Sequence, residues 1–593
     1  MIGVVPTLAQ CEGLHERGFT FVGAKGPGED LYLSFHELRL AAMRRAAHYQ
    51  ALGLKRGDRV AIVVPEGEHF IPAFLGGMWG GFIPVPLYPP LSLGKLDAFM
   101  DALVSILNLA RPRVLVTSER VGKLLWSAVA RIPTLEKVVT VEELAREAPL
   151  PLPPAAELND SEVAFLQFTS GSTAAPKGVM VTHGSLTANC IAILRDGLKV
   201  VPSDKAISWL PLYHDMGLIG LVLAPLVASI PVTFIPTMSF IKNATIWMET
   251  IHKHRGTLSF APNFAYALVT KRARREQIAR WDLSQMRVFG CGAEPINPGT
   301  MRAFVTAFEP AGLKPEALLP CYGMAEATLA ISFVALNEPL RTDRIDAERY
   351  HADHKAAPSA DGTLEIVNCG RTFPGHEVSV QDEDGRILPD RHVGELCLRG
   401  PSVAAGYWEN PAATREAGMG SPGGWLRTGD LGYLVDGEVH ISGRIKDILI
   451  VNGRNYYPQR IEWLVDDLAG VRKGSAVVFT RPGAASEEIV VAAETRSADP
   501  AALRASIVSR VSEEFQLAVS DVALVPPGAL PKTSSGKLQR RKTRDQYLSG
   551  RLGKDGVRTL GSMGSRLMVA KHLAFSLVGR ARHELRRRWN GFF

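Results

Sequence analysis

The chain has 593 residues, of which 46% are hydrophobic and 21% are charged. This composition is typical of a folded globular protein and excludes a mostly disordered chain, a collagen-like repeat and a coiled coil. The net charge is +7, but residues 551–593 contain ten Lys or Arg and only two acidic residues, so the rest of the chain is nearly neutral. We therefore expect no nucleic-acid partner.

The first part of the chain alternates between a helical pattern and short apolar runs. Residues 34–54 predict an amphipathic helix that its first residue, a serine, caps. The run RVAIVV at 59–64 is typical of a strand buried in a parallel sheet, and similar runs occur at 113–117 and 137–140. The prolines of IPVPLYPP at 83–90 predict an extended loop rather than a helix.

The alternation is clearest between residues 162 and 322, where helical segments separate most of the strand-like runs. It predicts crossover units on a largely parallel sheet, and ligands of such sheets bind at the carboxyl ends of the strands. The predicted strands are Val163–Phe168, Ala206–Leu210, Val232–Ile235, Leu258–Ala261, Val288–Gly290 and Leu318–Cys321.

An uncharged stretch at 216–241 has the composition of a membrane span. Pro225, Pro231 and Pro236 interrupt it, whereas a backbone that faces lipid must keep its hydrogen bonds continuous. We therefore predict a buried helix followed by a buried strand. The N-terminus lacks the pattern of a signal peptide, and the six cysteines form no CxxC pair, so we expect a reducing, cytoplasmic location.

The pattern changes after about residue 365, where short alternating runs are separated by turn signals. We predict an α/β fold with a large N-terminal domain at 1–445, which includes a small β subdomain at about 365–445, and a small α+β domain at 446–550. Residues 551–593 form a basic extension. Its helical apolar spacing fits a peripheral membrane helix, and it equally fits a helix packed on the protein or a disordered tail.

The first of seven candidate loops is FTSGSTAAPKG at 168–178, which follows a predicted strand. Its glycine permits close approach to a ligand, its hydroxyls and amides suit phosphate oxygens, and its lysine adds a point charge. The pattern is not a Walker A loop, and a Ser/Thr/Gly-rich surface turn is the alternative. The candidate residues are Thr169, Ser170, Gly171, Ser172, Thr173 and Lys177.

Two further loops place charged side chains at predicted strand ends. WLPLYHDMG at 209–217 contains His214 and Asp215, and a structural histidine is the alternative there. GCGAEP at 290–295 combines flexible backbone with the carboxylate of Glu294.

The fourth loop, CYGMAEAT at 321–328, combines an aromatic ring, a glycine and a carboxylate. Tyr322 suits stacking on a base, Gly323 permits close approach, and Glu326 suits a metal ion.

The last three loops are WLRTGDLG at 425–432, SGRIKDI at 442–448 and LPKTSSGKLQRR at 530–541. Lys537 lies in a flexible Gly/Ser segment of the last of these, the seventh loop.

The order and spacing of these seven segments, between about residues 30 and 548, resemble the adenylate-forming superfamily of acyl-CoA synthetases, peptide-synthetase adenylation domains and luciferases. Within it, PVPLYPP at 84–90, WLPLYHDMGL and APNFAYAL at 261–268 resemble the fatty acyl-AMP ligase branch. The 43 residues between Glu326 and Gly370 form a longer stretch than acyl-CoA ligases usually have. The branch is known for an insertion at about this place, which is thought to disfavour transfer to CoA.

The resemblance implies a reaction in two halves. A carboxylate attacks the α-phosphorus of ATP to give acyl-AMP and pyrophosphate, and a thiol then takes the acyl group. Because both reactants of the first half are anions, fixed positive charge near the α-phosphate lowers the barrier, and the resemblance assigns that charge to Lys537 and Mg²⁺. The expected acid is a fatty acid, and the expected acceptor is the phosphopantetheine thiol of an acyl carrier protein.

The resemblance also implies roles for the other matched residues. Residues 169–173 and Lys177 would hold the β- and γ-phosphates, Glu326 would bind Mg²⁺, and Tyr322 would stack on adenine. Gly292, Ala293 and Glu294 would contact adenine and the acyl group, and Gly323 and Met324 would contact the nucleotide. Asp430 would accept hydrogen bonds from both ribose hydroxyls, and Arg444 would support the same ribose. His214 would lie near the acyl carboxylate, and Lys446 would be the pivot of the C-terminal domain.

Several alternatives stay open at this point. The chain fits an acyl-CoA synthetase as well, and a non-catalytic nucleotide-binding scaffold would predict damaged motifs, which this sequence does not have. Asp430 and Arg444 also fit an ion pair between subdomains, and Lys446 fits an ordinary exposed lysine. Cys291 and Cys321 are interpreted as small apolar fillers rather than nucleophiles.

Overall fold

The computed structural model of the protein describes residues 2–26, 28–90, 96–129, 131–169, 176–362, 364–421, 423–451, 454–483, 487–515, 517–533, 536–553 and 580. Its strands are, in chain order, β1 (Gly18–Gly26), β2 (Glu29–Ser34), β3 (Arg59–Val63), β4 (Ile83–Pro86), β5 (Val114–Thr117), β6 (Lys137–Thr140), β7 (Val163–Thr169), β8 (Lys177–Thr182), β9 (Ala206–Ser208), β10 (Val232–Phe234), β11 (Leu258–Ala261), β12 (Val288–Cys291), β13 (Leu318–Gly323), β14 (Ala330–Phe333), β15 (Thr342–Ile345), β16 (Leu364–Val367), β17 (Arg371–Thr372), β18 (Glu377–Gln381), β19 (Gly394–Arg399), β20 (Leu426–Val435), β21 (Glu438–Arg444), β22 (Leu449–Val451), β23 (Arg454–Tyr456), β24 (Val471–Pro482), β25 (Glu487–Thr495) and β26 (Val519–Val525).

The α-helices are α1 (Val4–Ala9), α2 (Phe35–Ala51), α3 (Gly67–Trp79), α4 (Leu96–Ala110), α5 (Glu119–Val129), α6 (Val141–Leu144), α7 (His183–Ile191), α8 (Asp215–Leu218), α9 (Ala224–Val227), α10 (Thr237–Lys242), α11 (Ile246–His254), α12 (Asn263–Arg272), α13 (Arg275–Ile278), α14 (Pro298–Phe308), α15 (Ala347–Ala352), α16 (Pro411–Glu416), α17 (Pro458–Asp466), α18 (Pro500–Phe515) and α19 (Arg540–Leu548). A π-helical segment, Ala192–Gly197, follows α7, and another, Ile219–Leu223, joins α8 to α9. The Ser34 hydroxyl caps α2 together with Glu37, which confirms the predicted start of that helix.

The largest sheet has nine strands in the order β17-β14-β13-β12-β11-β9-β10-β1-β2. Its six inner strands, from β13 to β1, are parallel, and antiparallel strands complete both edges. Apart from the longer β1, whose second half is partly exposed, the inner strands are short, apolar and mostly buried, as strands covered on both faces must be. The predicted parallel α/β arrangement is confirmed, and it brings the carboxyl ends of β9, β11, β12 and β13 to one edge.

A second parallel sheet has the order β4-β3-β5-β6, and it corrects one prediction. Residues 83–86 of the proline-rich segment form a buried strand rather than a loop. Pro84 and Pro86 are tolerated because β4 lies at the edge of the sheet, where one side of a strand has no ladder partner to which it must donate.

The segment 163–169 is a strand as predicted, but it does not pair within a parallel sheet. It forms an antiparallel hairpin with β8, in which Thr169 lies opposite Lys177. An apolar run of this length is the same in a buried hairpin as in a parallel sheet, so the sequence pattern did not distinguish them. Of the predicted phosphate-loop residues, Ser170, Gly171, Ser172 and Thr173 lie outside the described residues.

The later part of the chain forms smaller sheets. Strands β18 to β21 make a four-stranded antiparallel sheet, as predicted for the β subdomain. Strands β24, β25 and β26 form a sheet on which α17, α18 and α19 pack, and this unit has its own apolar core. The exact domain boundaries stay predictions.

The uncharged stretch at 216–241 is a buried helical segment followed by the buried strand β10, as predicted. Among the described residues, no helix is both long enough and apolar enough to cross a bilayer. The basic extension falls mostly at 554–579 and 581–593, outside the described residues, so its contact with a membrane stays a prediction.

Candidate active site

A small cleft brings together three of the predicted loops. His214 and Met216 from the second loop lie on one side, and Ala293 from the third lies on another. Lys537, which arrives from the C-terminal unit, completes the wall. The remaining lining residues are Trp209, Leu210, Pro211 and Pro262. The fold therefore delivers a cation from a separate unit into a site made by strand ends of the large sheet.

Lys537 is held in the cleft by a compact turn of its own loop. Its backbone N–H donates to the Thr533 hydroxyl at 3.0 Å, and its carbonyl oxygen accepts from the Thr533 N–H at 2.7 Å. Burial lowers the pKa of Lys537, and the carboxylates of Asp215 and Glu294 oppose that shift. The ammonium thus faces two acidic groups of the N-terminal part.

His214 and Asp215 form a close pair at the start of α8. The His214 Nδ1 lies 2.5 Å from the Asp215 Oδ1, which also accepts the Met216 N–H at 2.7 Å. Burial raises the pKa of Asp215, but His214 and Lys537 outweigh it, and the net shift is downward. Asp215 is therefore an ionised acceptor that fixes the imidazole at the edge of the cleft.

Glu294 joins the third loop to the first turn of α12. Its Oε1 accepts the Phe264 N–H at 3.0 Å, so its charge lies at a helix N-terminus, where anions are favoured. Burial raises its pKa, and Lys537, the hydrogen bond from Phe264 and Lys532 oppose the shift. Cys291, three residues earlier, is buried with its pKa well above the ordinary value, which agrees with a filler rather than a nucleophile.

Tyr322, Asp430 and Arg444 form a connected group. The Tyr322 hydroxyl donates to the Asp430 Oδ2 at 2.8 Å, and the Arg444 Nε donates to the Oδ1 at 3.1 Å. Asp430 and Arg444 lie opposite each other on β20 and β21, so their ion pair joins neighbouring strands of one sheet rather than two subdomains. Asp430 is buried, whereas the guanidinium of Arg444 is exposed. Burial and the Asp430 charge raise the pKa of Tyr322.

The first and fourth loops meet at Tyr407, which the sequence reasoning missed. Its hydroxyl donates to the Glu326 Oε1 at 2.8 Å, and the Lys177 Nζ lies 4.6 Å from its ring centroid. Burial raises the pKa of Glu326, and the hydrogen bond from Tyr407 opposes that shift. Gly323 and Met324 lie between Tyr322 and Glu326, and the Met324 N–H donates to the Leu329 carbonyl at 2.8 Å. Gly292 and Ala293 directly follow β12.

Lys446 is exposed in a short 3₁₀ turn, Ile445–Asp447, between the two parts of the chain. The next residue, Asp447, pairs with Arg540 at 2.7 Å, and Arg540 also pairs with Glu462 at 2.8 Å. This group ties the turn to α17 and α19. Arg540 was not predicted, because nothing in its local sequence indicates a partner so distant along the chain.

The stretch between the fourth loop and Gly370 forms a hairpin of β15 and β16 that encloses α15. Helix α15 packs against the chain that follows the 3₁₀ turn Ile445–Asp447. The Tyr350 and Tyr457 rings are 5.5 Å apart, and the His351 and Tyr456 rings are 5.6 Å apart. The predicted insertion is thus a folded module in contact with the C-terminal unit.

Three relatives are similar over most of their length. A protein of Caulobacter vibrioides, whose name gives acyl-CoA synthetase as an unproven activity, is 37% identical. The alignment covers 92% of this chain and 96% of that protein. The long-chain-fatty-acid–AMP ligase FadD26 of Mycobacterium marinum is 38% identical over 83% and 88% of the two chains. The medium-chain-fatty-acid–[acyl-carrier-protein] ligase JamA of Moorena producens is 32% identical over 88% and 90%.

A solved structure from studies of fatty acyl-adenylate ligases of E. coli and L. pneumophila is 33% identical, covers 93% of this chain and 98% of its own, and superposes with a TM-score of 0.87. This likeness confirms the predicted fold class. A family model described as the AMP domain of Disco-interacting protein 2-like proteins matches residues 446–556. The model of the AMP-binding enzyme family matches residues 15–408. The chain therefore belongs to the AMP-binding enzyme family, and its predicted resemblance to the fatty acyl-AMP ligases is confirmed.

Proposed function

We propose that this protein is a fatty acyl-AMP ligase, which converts a fatty acid and ATP to acyl-AMP and pyrophosphate and passes the acyl group to the phosphopantetheine thiol of an acyl carrier protein. The observation that carries the proposal is Lys537 in the cleft beside His214 and Ala293. The names of FadD26, JamA and the solved ligases support it.

In the first half-reaction, the carboxylate oxygen of the acid attacks the α-phosphorus, and pyrophosphate leaves. Negative charge builds on the α-phosphate oxygens, and the Lys537 ammonium stabilises it from a fixed position. Asp215 holds His214 beside the path of the acyl carboxylate.

The nucleotide contacts follow from the other groups. Asp430 offers two carboxylate oxygens as acceptors for the ribose hydroxyls, and Arg444 and Tyr322 hold its carboxylate in place. Tyr322 provides the ring beside adenine. Lys177, with residues 169–173, is assigned to the β- and γ-phosphates. The alternative of a purely structural Asp430–Arg444 pair would leave ATP binding intact after its removal.

Glu326 fits a magnesium site. Its carboxylate has one hydrogen bond from Tyr407 and no ion pair within the part of the chain that the structure describes, so a divalent cation would supply the opposite charge. Hard oxygen donors suit Mg²⁺, which usually takes one or two carboxylates together with substrate phosphates. Bound there, the ion would neutralise phosphate charge during the attack.

A second cavity is apolar, as the hydrocarbon chain of the acid requires. It is lined by apolar residues of both π-helical segments and of β11, among them Leu194, Leu221 and Phe260. The second π-helical segment begins three residues after Met216, and β11 ends at the residue before Pro262, so the two cavities are lined by adjoining parts of the chain. We assign the carboxylate to the cleft and the distal chain to this cavity.

Gly220 lines the acyl cavity and offers a test of that assignment. A leucine there would narrow the cavity further, since even a Cβ would lie 3.2 Å from the Leu329 Cδ2, so we expect Gly220→Leu to lower kcat/KM for hexadecanoate about 10- to 100-fold more than for hexanoate. Pyrophosphate release with a graded series of acids measures this. Gly220→Ala is the matched control and should shift the preference only slightly. An equal loss for short and long acids would contradict the assignment.

The acceptor is the finer part of the proposal. The name of JamA, a ligase that uses an acyl carrier protein, supports a carrier protein as the acceptor over free CoA. The relative named as an acyl-CoA synthetase favours CoA as the second candidate. Offering CoA and a phosphopantetheinylated carrier protein separately after adenylation tests both. Efficient acyl-CoA formation would overturn the carrier assignment.

A further inference from the structure

The ring of Phe264 lies where the Lys537 loop meets the N-terminal part of the chain. A Cβ built on Gly536, the residue before Lys537, would be 3.5 Å from the Phe264 Cε1 and Cζ. A Cβ on Gly474 would be 4.0 Å from the Phe264 Cβ. Both glycines have positive φ, +91° for Gly536 and +65° for Gly474, a backbone conformation that residues with a side chain rarely adopt. Glycine therefore suits both positions by its backbone conformation as well as by its small size.

The two glycines belong to different segments of the C-terminal unit, and Lys532 connects them. The Lys532 Nζ donates to the Gly474 carbonyl at 3.3 Å and lies 3.4 Å from the Ser475 hydroxyl. The Gly536 N–H donates to the Thr533 carbonyl at 3.0 Å, which closes the turn that presents Lys537. We call Gly474 and Gly536, joined in this way, the glycine seat.

Phe264 is itself fixed on the N-terminal side. Its backbone N–H is bonded to Glu294, and its ring lies edge-on to Trp209 with centroids 6.0 Å apart. Trp209 lines the cleft and stacks on Phe240 at 3.8 Å. The ring is therefore a firm support that links the wall of the cleft to the glycine seat.

We propose that Phe264 is a positioning residue. Its ring determines how deep in the cleft the glycine seat places the Lys537 ammonium. The inference rests on the proposed adenylation function and deepens it. Phe264 acts through Lys537 and does not need to touch the reacting atoms. Displacing a reactive group by about 1 Å can cost about 100-fold in rate, so loss of the support should be felt mainly in kcat.

The first test compares Phe264→Ala with Leu268→Ala, a half-buried residue one turn further along α12. With dodecanoate as the probe, we expect ATP–pyrophosphate exchange by Phe264→Ala to fall about 10- to 100-fold in kcat, with KM for the acid changed less than about 2-fold. Leu268→Ala should retain the rate, and Phe264→Leu should recover part of it. A rise in KM alone would overturn the proposal, since it would make Phe264 part of the acid site.

The second test does not depend on turnover. Hydrogen exchange of peptides containing Lys537 is measured with dodecanoyl sulfamoyl adenosine, an unreactive mimic of acyl-AMP. Protection should appear in the natural protein and in Leu268→Ala and be lost in Phe264→Ala. Equal protection in all three would overturn the proposal. If the natural protein shows no ATP–pyrophosphate exchange with any acid, the proposed function fails. The hydrogen-exchange experiment still decides whether Phe264 positions the Lys537 loop.

Discussion

Lys537→Ala should lose adenylation almost completely while it keeps the transfer of an acyl group from supplied acyl-AMP. The ammonium is the cation that the C-terminal unit places in the cleft, and removal of one preorganised group at a developing charge costs about 10²- to 10³-fold. Pyrophosphate exchange measures the first half, and thioester formation from synthetic acyl-AMP measures the second. An equal loss of both halves would contradict the assignment.

The same lysine predicts a pH dependence. Burial lowers the pKa of Lys537, so its charge is lost as the pH rises through a value below that of an ordinary lysine. The profile of kcat/KM for ATP should therefore fall on the alkaline side, since it reports groups of the free enzyme. Lys537→Arg is the control, because a guanidinium stays charged over this pH range. Any activity that remains in this variant should not decrease on the alkaline side.

Glu326→Gln should give the second large effect, a fall of about 100-fold in kcat/KM for ATP. The amide oxygen can still accept the Tyr407 hydroxyl, so the variant removes the charge and keeps the hydrogen bond. We expect the Mg²⁺ concentration for half-maximal rate to rise about 10-fold. A magnesium titration of pyrophosphate release measures both quantities.

The matched control for Glu326 is Tyr407→Phe, which removes the hydrogen bond and keeps the carboxylate. Its magnesium midpoint should stay near that of the natural protein. Should Tyr407→Phe and Glu326→Gln have the same midpoint, the carboxylate would be an acceptor for the tyrosine and not a ligand for the ion.

Much of the site was predictable because its residues follow apolar runs. His214, Glu294 and Tyr322 were found as polar or aromatic side chains at strand ends, and parallel strands bring those ends together. Their functional roles came from the resemblance and stay predictions. The pairing of β7 was wrong because an apolar run does not reveal its partner strand, and β4 was missed because prolines in a buried edge strand look like a loop.

The residues that sequence reasoning missed depend on contacts between distant segments. Tyr407 lies outside all seven loops, and only the folded chain brings it to Glu326 and Lys177. Phe264 was noted as part of APNFAYAL, but its contact with Gly536 needs the C-terminal unit in place. Packing of this kind has no period in the sequence, so no local pattern predicts it.

The ion pairs of Arg540 bear on the proposed pivot at Lys446. Because Arg540 pairs with Asp447 and Glu462, the residue after Lys446 is connected to α17 and to α19. A turn about Lys446 would then swing α19 as well as the lysine loop. The chain leaves α19 at residue 549, so the segment after that point would move with the C-terminal unit at each change between the two half-reactions. A partner bound to that segment would then restrain the catalytic cycle.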